Sequence, residues 1–163
     1  MNVDAIQVQL VDAKYPLILI GVTEEEAKEQ RDLKLSGALK KITCNIIALG
    51  DFKATRGEYA LLYSQGKIAA ERIMLIGLGK KTEITAEKLR QTLGEASRKI
   101  RDLGVNELGI SVTHIKYGKM SEAEVSEVIT EAFIMGSFSD TYHKTKDLDK
   151  YKVIKALHLI FGK

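Results

Sequence analysis

The chain is poor in the residues that staple, kink or anchor a protein. Of its 163 residues one is cysteine, one is proline and none is tryptophan. A single thiol, Cys44, cannot close an internal disulfide, which excludes the small cross-linked secreted scaffolds. It lies among apolar residues of a predicted helix, where an inert, buried core thiol is expected, because a reactive one needs an accessible electropositive setting. No apolar run approaches the ~20 residues that a membrane-spanning helix needs. The first residues show no basic segment leading into an apolar core, so no signal peptide is expected. The net charge of +3 is too small to demand a polyanionic partner. These features together predict a cytoplasmic chain in a reducing compartment.

What is present is ordinary globular composition, 45% hydrophobic and 29% charged, which places the chain with folded domains and not with disordered ones. The length suits one domain that buries about two-thirds of its unfolded surface. The stretch that organises it is Glu71-Arg-Ile-Met-Leu-Ile-Gly-Leu-Gly-Lys-Lys81. Ile73 to Ile76 is an unbroken apolar run and predicts a strand, roughly Arg72 to Ile76, covered on both faces. Gly77 and Gly79 follow at once and read as a sharp turn into a helix. Strand, glycine turn, helix is where an α/β fold keeps its ligand site.

In chain order, Ile6, Val8 and Leu10 alternate with Gln7 and Gln9, so Val3 to Val11 predicts a half-buried strand. Leu17 to Ile20 predicts an interior one. Thr23-Glu-Glu-Glu26 has the capping-box pattern, but the charge density from Glu24 to Lys34 favours a solvated segment. Apolar residues at helical spacing predict a helix from about Leu35 to Leu49, ended by Gly50. Glu58 to Ser64 predicts a strand. Thr85 caps a helix with a clean apolar face (Leu89, Leu93, Ala96, Ile100) that Gly104 terminates. Glu107 to Val112 predicts a strand. Ser121-Glu-Ala-Glu124 opens a further helix, and Val153 to Phe161 a last strand. Helices alternate with strands through the second half. The predicted class is therefore α/β, a single layered domain with a mixed sheet flanked by helices.

No catalytic set emerges from the residues. His114, His143 and His158 stand far apart and outside any zinc spacing, so they read as structural or exposed. Gly136-Ser-Phe-Ser139 lacks the closing glycine of a nucleophile elbow. Gly77, Gly79, Lys80 and Lys81 form the one candidate ligand site, a phosphate held by backbone amides and two lysines. It has neither the third glycine of a dinucleotide fingerprint nor the Gly-Lys-Ser/Thr of a P-loop. The polar segment from His143 to Lys152 offers lysines at 144, 146, 150 and 152 to nucleic acid, but no arginine and one aromatic, so it reads as an exposed linker.

Four stretches, in order, resemble the N-terminal domain of the leucyl (cytosol) aminopeptidase family. They are Gly50-Asp-Phe-Lys-Ala-Thr-Arg-Gly-Glu58, Glu71 to Lys81, Ile84-Thr-Ala-Glu-Lys-Leu-Arg90, and Ala132-Phe-Ile-Met-Gly-Ser-Phe138 running into His143-Lys-Thr-Lys146. The chain departs from the family pattern at Phe138, Asp140 and His143. The Asn-Thr-Asp-Ala-Glu-Gly-Arg signature of the family's catalytic domain does not occur in it.

The resemblance implies a macro-domain-like fold over residues 1–163, with the catalytic domain outside this chain. It implies a parent metalloaminopeptidase, cytosolic and hexameric, that removes N-terminal residues from peptides with two divalent metal ions. In that setting the domain is non-catalytic, carries no cofactor or metal of its own, and meets the C-terminal catalytic domain and neighbouring subunits. Asp140 to Lys152 is the predicted contact surface. The alternative is a stand-alone macro-like module that binds a phosphate-containing ligand such as ADP-ribose, or nucleic acid. No membrane partner is expected.

Overall fold

Two neighbouring strands carry the centre of the molecule because their side chains are apolar on both faces. In a computed structural model that describes residues 1–29, 33–35, 37–138 and 152–162, β2 (Ile18–Thr23) and β4 (Arg72–Gly79) lie side by side in parallel. Every residue of β2 is buried, as is every residue of β4 after Arg72. Around them stand β1 (Asn2–Gln7), β3 (Tyr59–Tyr63), β5 (Glu107–Ser111) and β6 (Ala156–Phe161). The sheet order is β1-β6-β5-β2-β4-β3, parallel throughout except for antiparallel β3.

Successive side chains of a strand point to opposite faces, and the core divides accordingly. Leu19, Met74, Ile76, Leu108 and Ile110 face α3 (Ala86–Asp102) and α4 (Glu122–Ser137). Ile18, Ile20, Ile73 and Leu75 face α2 (Gly37–Ala48) and the short α1 (Glu24–Glu29). Helices thus cover both faces of one mixed sheet, as the sequence predicts. The helix starts are also as predicted. Thr85 Oγ1 accepts from the Lys88 amide at 3.3 Å, and Ser121 and Glu124 exchange both bonds of a capping box.

Some local expectations fail. Gly77 and Gly79 are not a turn after the strand; they are its last paired residues, matched to Val22 and Thr23 across a register shift. Residues 54–57 lie directly against them. A methyl group on Gly77 would stand 2.1 Å from the Thr55 carbonyl oxygen, so only glycine admits this contact, and Gly79 has φ +78°. The Glu58 carboxylate ties the same loop down by accepting from the amides of Lys53 and Thr55. The first strand is an edge strand that stops at Gln7 and is nearly all exposed, because only β6 pairs with it. Cys44 is half-buried at the margin of the α2 core instead of inside it.

His158 braces that edge. Its ring stacks on Tyr15 with centroids 4.5 Å apart, and its two nitrogens meet Asp4 on β1 at 2.5 Å and Glu107 on β5 at 3.0 Å.

Candidate functional site

The chain leaves β2 towards α1 and α2 on one face and leaves β5 towards α4 on the other, yet β2 and β5 are neighbours. Such a reversal opens a crevice outside the carboxyl ends of the two strands, the preferred ligand position in open α/β sheets. The residues after β2 and β5 furnish it.

Thr23 ends β2 and caps α1. Its amide and hydroxyl both donate to Glu26 Oε2 at 2.9 Å, and it accepts from the Glu26 amide. That capping box was legible, but the burial was not: Glu26 is only 3% exposed, not a member of a solvated acidic run. Tyr117, in the β5–α4 connection, donates its hydroxyl to the same oxygen at 2.6 Å. Three donors on one carboxylate oxygen offset the cost of burying the charge. Burial first, and the Glu26 carboxylate second, push the Tyr117 phenol far above its ordinary range, so it stays a donor.

His114 is 7% exposed and sits between Ser111 Oγ, 2.7 Å from Nδ1, and the Lys34 carbonyl, 3.3 Å from Nε2. A carbonyl only accepts, so Nε2 carries the proton and Nδ1 accepts from Ser111. Burial, the largest influence, lowers the His114 pKa against the opposing pull of that carbonyl, and the ring is held neutral. Serine beside histidine suggests a nucleophile and its base. Here Ser111 is 1% exposed and the far nitrogen is spent on the backbone. The pair instead pins the chain around Lys34, whose φ of +42° is left-handed.

Lys34, Lys81 and Lys116 line a cleft of about 700 Å³ with Glu26, Tyr117 and Glu122. The Lys34 amine lies 5.9 Å from the Tyr117 ring centre, and the Lys116 amine 3.7 Å from Glu122. A second cavity of about 310 Å³ adjoins the first at Lys34 and Thr113 and is lined also by Leu10, Val11, Leu35 and Leu39.

The sequence pattern of the cytosol aminopeptidase family's N-terminal domain matches residues 19–147. The chain belongs to that family. A probable cytosol aminopeptidase of Geobacter sp. (strain M21) is 30% identical over 138 residues, 83% of this chain and 26% of the relative. This chain thus spans about a quarter of that relative's length. Among solved structures, a tomato leucine aminopeptidase variant superimposes with a TM-score of 0.71 at 18% identity, over 99% of this chain and 32% of that one. The macrodomain of Thermus aquaticus DarG reaches a TM-score of 0.58 at 12% identity, over 98% of both chains. At such identities the likenesses establish the fold alone, and that fold is the macro-like one implied by the resemblance.

The family stretches acquire physical meaning in the fold. Gly50 to Glu58 is the loop that lies on β4, and Glu71 to Lys81 is β4 with its glycines. The four residues singled out for a ligand are divided. Gly77 is interior, and its amide donates to the Glu58 carbonyl at 2.8 Å; the Gly79 amide donates to Ala54 at 3.1 Å. The Lys81 amide donates to the Glu25 carboxylate at 3.0 Å. Burial raises the Glu25 pKa, but that amide and the charges of Lys81 and Lys28 outweigh it and hold the carboxyl below its usual value. Gly79 and Lys80 line a separate cavity of about 250 Å³ with Arg56 and Lys88, while Lys81 turns to the β2–β5 cleft.

Among the described residues no group of three or more histidine, cysteine, aspartate or glutamate side chains is placed to hold a metal ion. Asp4 and Glu107 each contact His158, but the imidazole lies between the carboxylates, so the donors do not converge. No described helix is long and apolar enough to cross a membrane.

Proposed function

We infer that this chain is the accessory N-terminal domain of a cytosol aminopeptidase. In this reading a C-terminal domain with two divalent metal ions removes N-terminal residues from peptides. The present domain contributes to assembly of a hexamer and to active-site access. The observation that carries the reading is the match to the family's N-terminal domain by a chain spanning 26% of a curated relative. The apolar side chains Ile134, Met135 and Phe138, 49%, 77% and 74% exposed at the end of α4, add support, since contacts between domains use such patches. The segment Asp140 to Lys152, also expected to serve contacts, lies outside the described residues except for Lys152.

The test is direct. The purified chain is expected not to hydrolyse leucine p-nitroanilide with zinc, manganese or magnesium added. Metal-dependent turnover that survives repurification and scales with this protein would overturn the reading. Light scattering is expected to show a monomer or weak dimer; a stable hexamer would remove the need for a catalytic domain in assembly. A phosphate module at Gly77 to Lys81 draws support only from the lysine side chains, because the amides of Gly77, Gly79 and Lys81 already serve protein acceptors. A saturable titration with ADP-ribose would revive it.

A further inference from the structure

We propose that the crevice across the carboxyl ends of β5 and β2 binds the carboxylate of an aliphatic acid, either a free apolar amino acid or the C-terminal residue of a peptide. The inference rests on the crevice and not on the accessory reading. Its two cavities share Lys34 and Thr113 in their linings and so adjoin at these residues as two lobes of the crevice. The smaller lobe is walled by the apolar Leu10, Val11, Leu35 and Leu39 together with the polar Gln9, Ser111, Thr113 and His114. Among the described residues its lining has no phenylalanine, tyrosine or tryptophan face for a base to stack on, and the His114 ring is held by contacts at both nitrogens. A branched aliphatic group matches the four apolar side chains, and burying it against them is favourable by about 25 cal/mol per Å².

The larger lobe supplies the countercharge. Lys34 comes from the connection before α2, Lys81 from the turn after β4 and Lys116 from the β5–α4 loop, so three amines from distant parts of the chain meet one cleft. Two carboxylates, Glu26 and Glu122, share it. Among the described residues three positive charges face two negative ones, so a single carboxylate neutralises the cleft, whereas a phosphate dianion would leave it with a net negative charge. Lys34 is held ready. Its left-handed backbone is costly for a residue with a side chain, of order 1 kcal/mol or more, and persists because the buried Ser111–His114 pair grips its carbonyl. Strain retained beside a cleft, at a residue that lines both lobes, is what pre-organisation for a ligand looks like.

Calorimetric titration of the intact chain with leucine, N-acetylleucine, glycylleucine, leucinamide and inorganic phosphate tests the proposal. The expected result is saturable binding of at least one leucine carboxylate in roughly the millimolar range, with leucinamide at least about tenfold weaker. Lys34→Ala and Lys116→Ala are each expected to weaken binding about tenfold, while Lys67→Ala, on the β3 side, leaves it unchanged. A preference for leucine over N-acetylleucine assigns the site to free amino acids, the ammonium facing the cleft carboxylates; the reverse assigns it to peptide C-termini. Equal binding of leucinamide, binding of phosphate alone, or no response up to about 10 mM would overturn the proposal. So would unchanged affinity in both lysine variants when their melting temperatures match the wild type.

Discussion

Gly77 and Gly79 end β4 with their amides bonded to the carbonyls of Glu58 and Ala54, while one strand away Glu26 and Tyr117 bond to each other under a rim of lysines. Both places lie at the carboxyl edge of the same sheet. In the first, the backbone of residues 54–57 fills the space that the glycines leave, and the polar groups satisfy one another. In the second, side chains from residues 23 to 117 leave a cleft and put charge around it. Glycines after a strand therefore report close packing as readily as ligand binding. The open site belongs to residues that only the topology brings together.

Substitutions sharpen the contrast, and the largest effect belongs to the packed region. Leu75 lies mid-β4, fully buried, paired with Ile20 on one side and Ala60 on the other. Leu75→Asp strands a carboxylate there at a cost of several kcal/mol, comparable with a domain's ~5–15 kcal/mol of stability. The variant is expected to be unfolded by circular dichroism at room temperature. A melting temperature near that of the wild type would break the central-strand assignment.

Next comes the glycine itself. The Cβ of Gly77→Ala would meet backbone atoms of Thr55 and Ala54 at 2.1–2.8 Å, and backbone cannot swing aside as a flexible side chain does. The loop would have to lift and give up the bonds from Gly57 to Gly77 and from Gly79 to Ala54. A loss of about 2–4 kcal/mol in urea unfolding is expected. A loss below about 1 kcal/mol would mean that the loop is not locked on the strand.

The same two regions explain what the sequence could and could not disclose. Period-two and period-3.6 patterns are local, so the buried run Ile73 to Ile76, the caps at Thr85 and Ser121 and the apolar face of α3 could all be read directly. The meaning of Gly77 depends on Thr55, which no pattern within β4 reports. Glu26 stands in a run of glutamates, and its burial depends on Tyr117, 91 residues later. His114, Ser111 and Lys34 likewise become neighbours only when β5 settles beside β2. The edge strand was overextended because alternation of Ile6, Val8 and Leu10 predicts a half-buried strand without revealing that it has one partner. Family resemblance reached the fold by another route, through short stretches, two of which turn out to pack loop 50–58 on β4.

The crevice gives a smaller, pH-dependent effect. The His114 pKa is lowered in the folded chain, mainly by burial. Below the unfolded value, about 6.5, the unfolded chain takes up a proton that the folded chain refuses, so stability falls as pH falls towards the folded pKa. His114→Gln keeps a donor for the Lys34 carbonyl and an acceptor for Ser111 but does not titrate. Between about pH 7.5 and about pH 5.5 the wild type is expected to lose stability relative to this variant, by at most about 1.4 kcal/mol. Parallel curves from urea titrations at the two pH values would show that His114 protonates as freely in the folded chain as in the unfolded one.

The smallest effect is expected where the sequence pointed most directly at a ligand. The Lys80 side chain is 59% exposed, and its amine lies 3.8 Å from Glu83, three residues on. A pair of that kind, solvated and on flexible side chains, is worth about 0–1 kcal/mol, and Lys88 already meets the same carboxylate group at 3.3 Å. Lys80→Ala is therefore expected to change stability by less than about 0.5 kcal/mol. It should also leave leucine carboxylate binding untouched, because Lys80 lines the small cavity beside Arg56 and not the β2–β5 cleft. Lys81→Ala, one residue further, removes an amine from that cleft while its amide still donates to Glu25, so it should weaken carboxylate binding with little change in melting temperature. The adjacent lysines thus separate the two regions in one pair of titrations. Equal losses of affinity in both variants would show that the turn and the crevice act as one site.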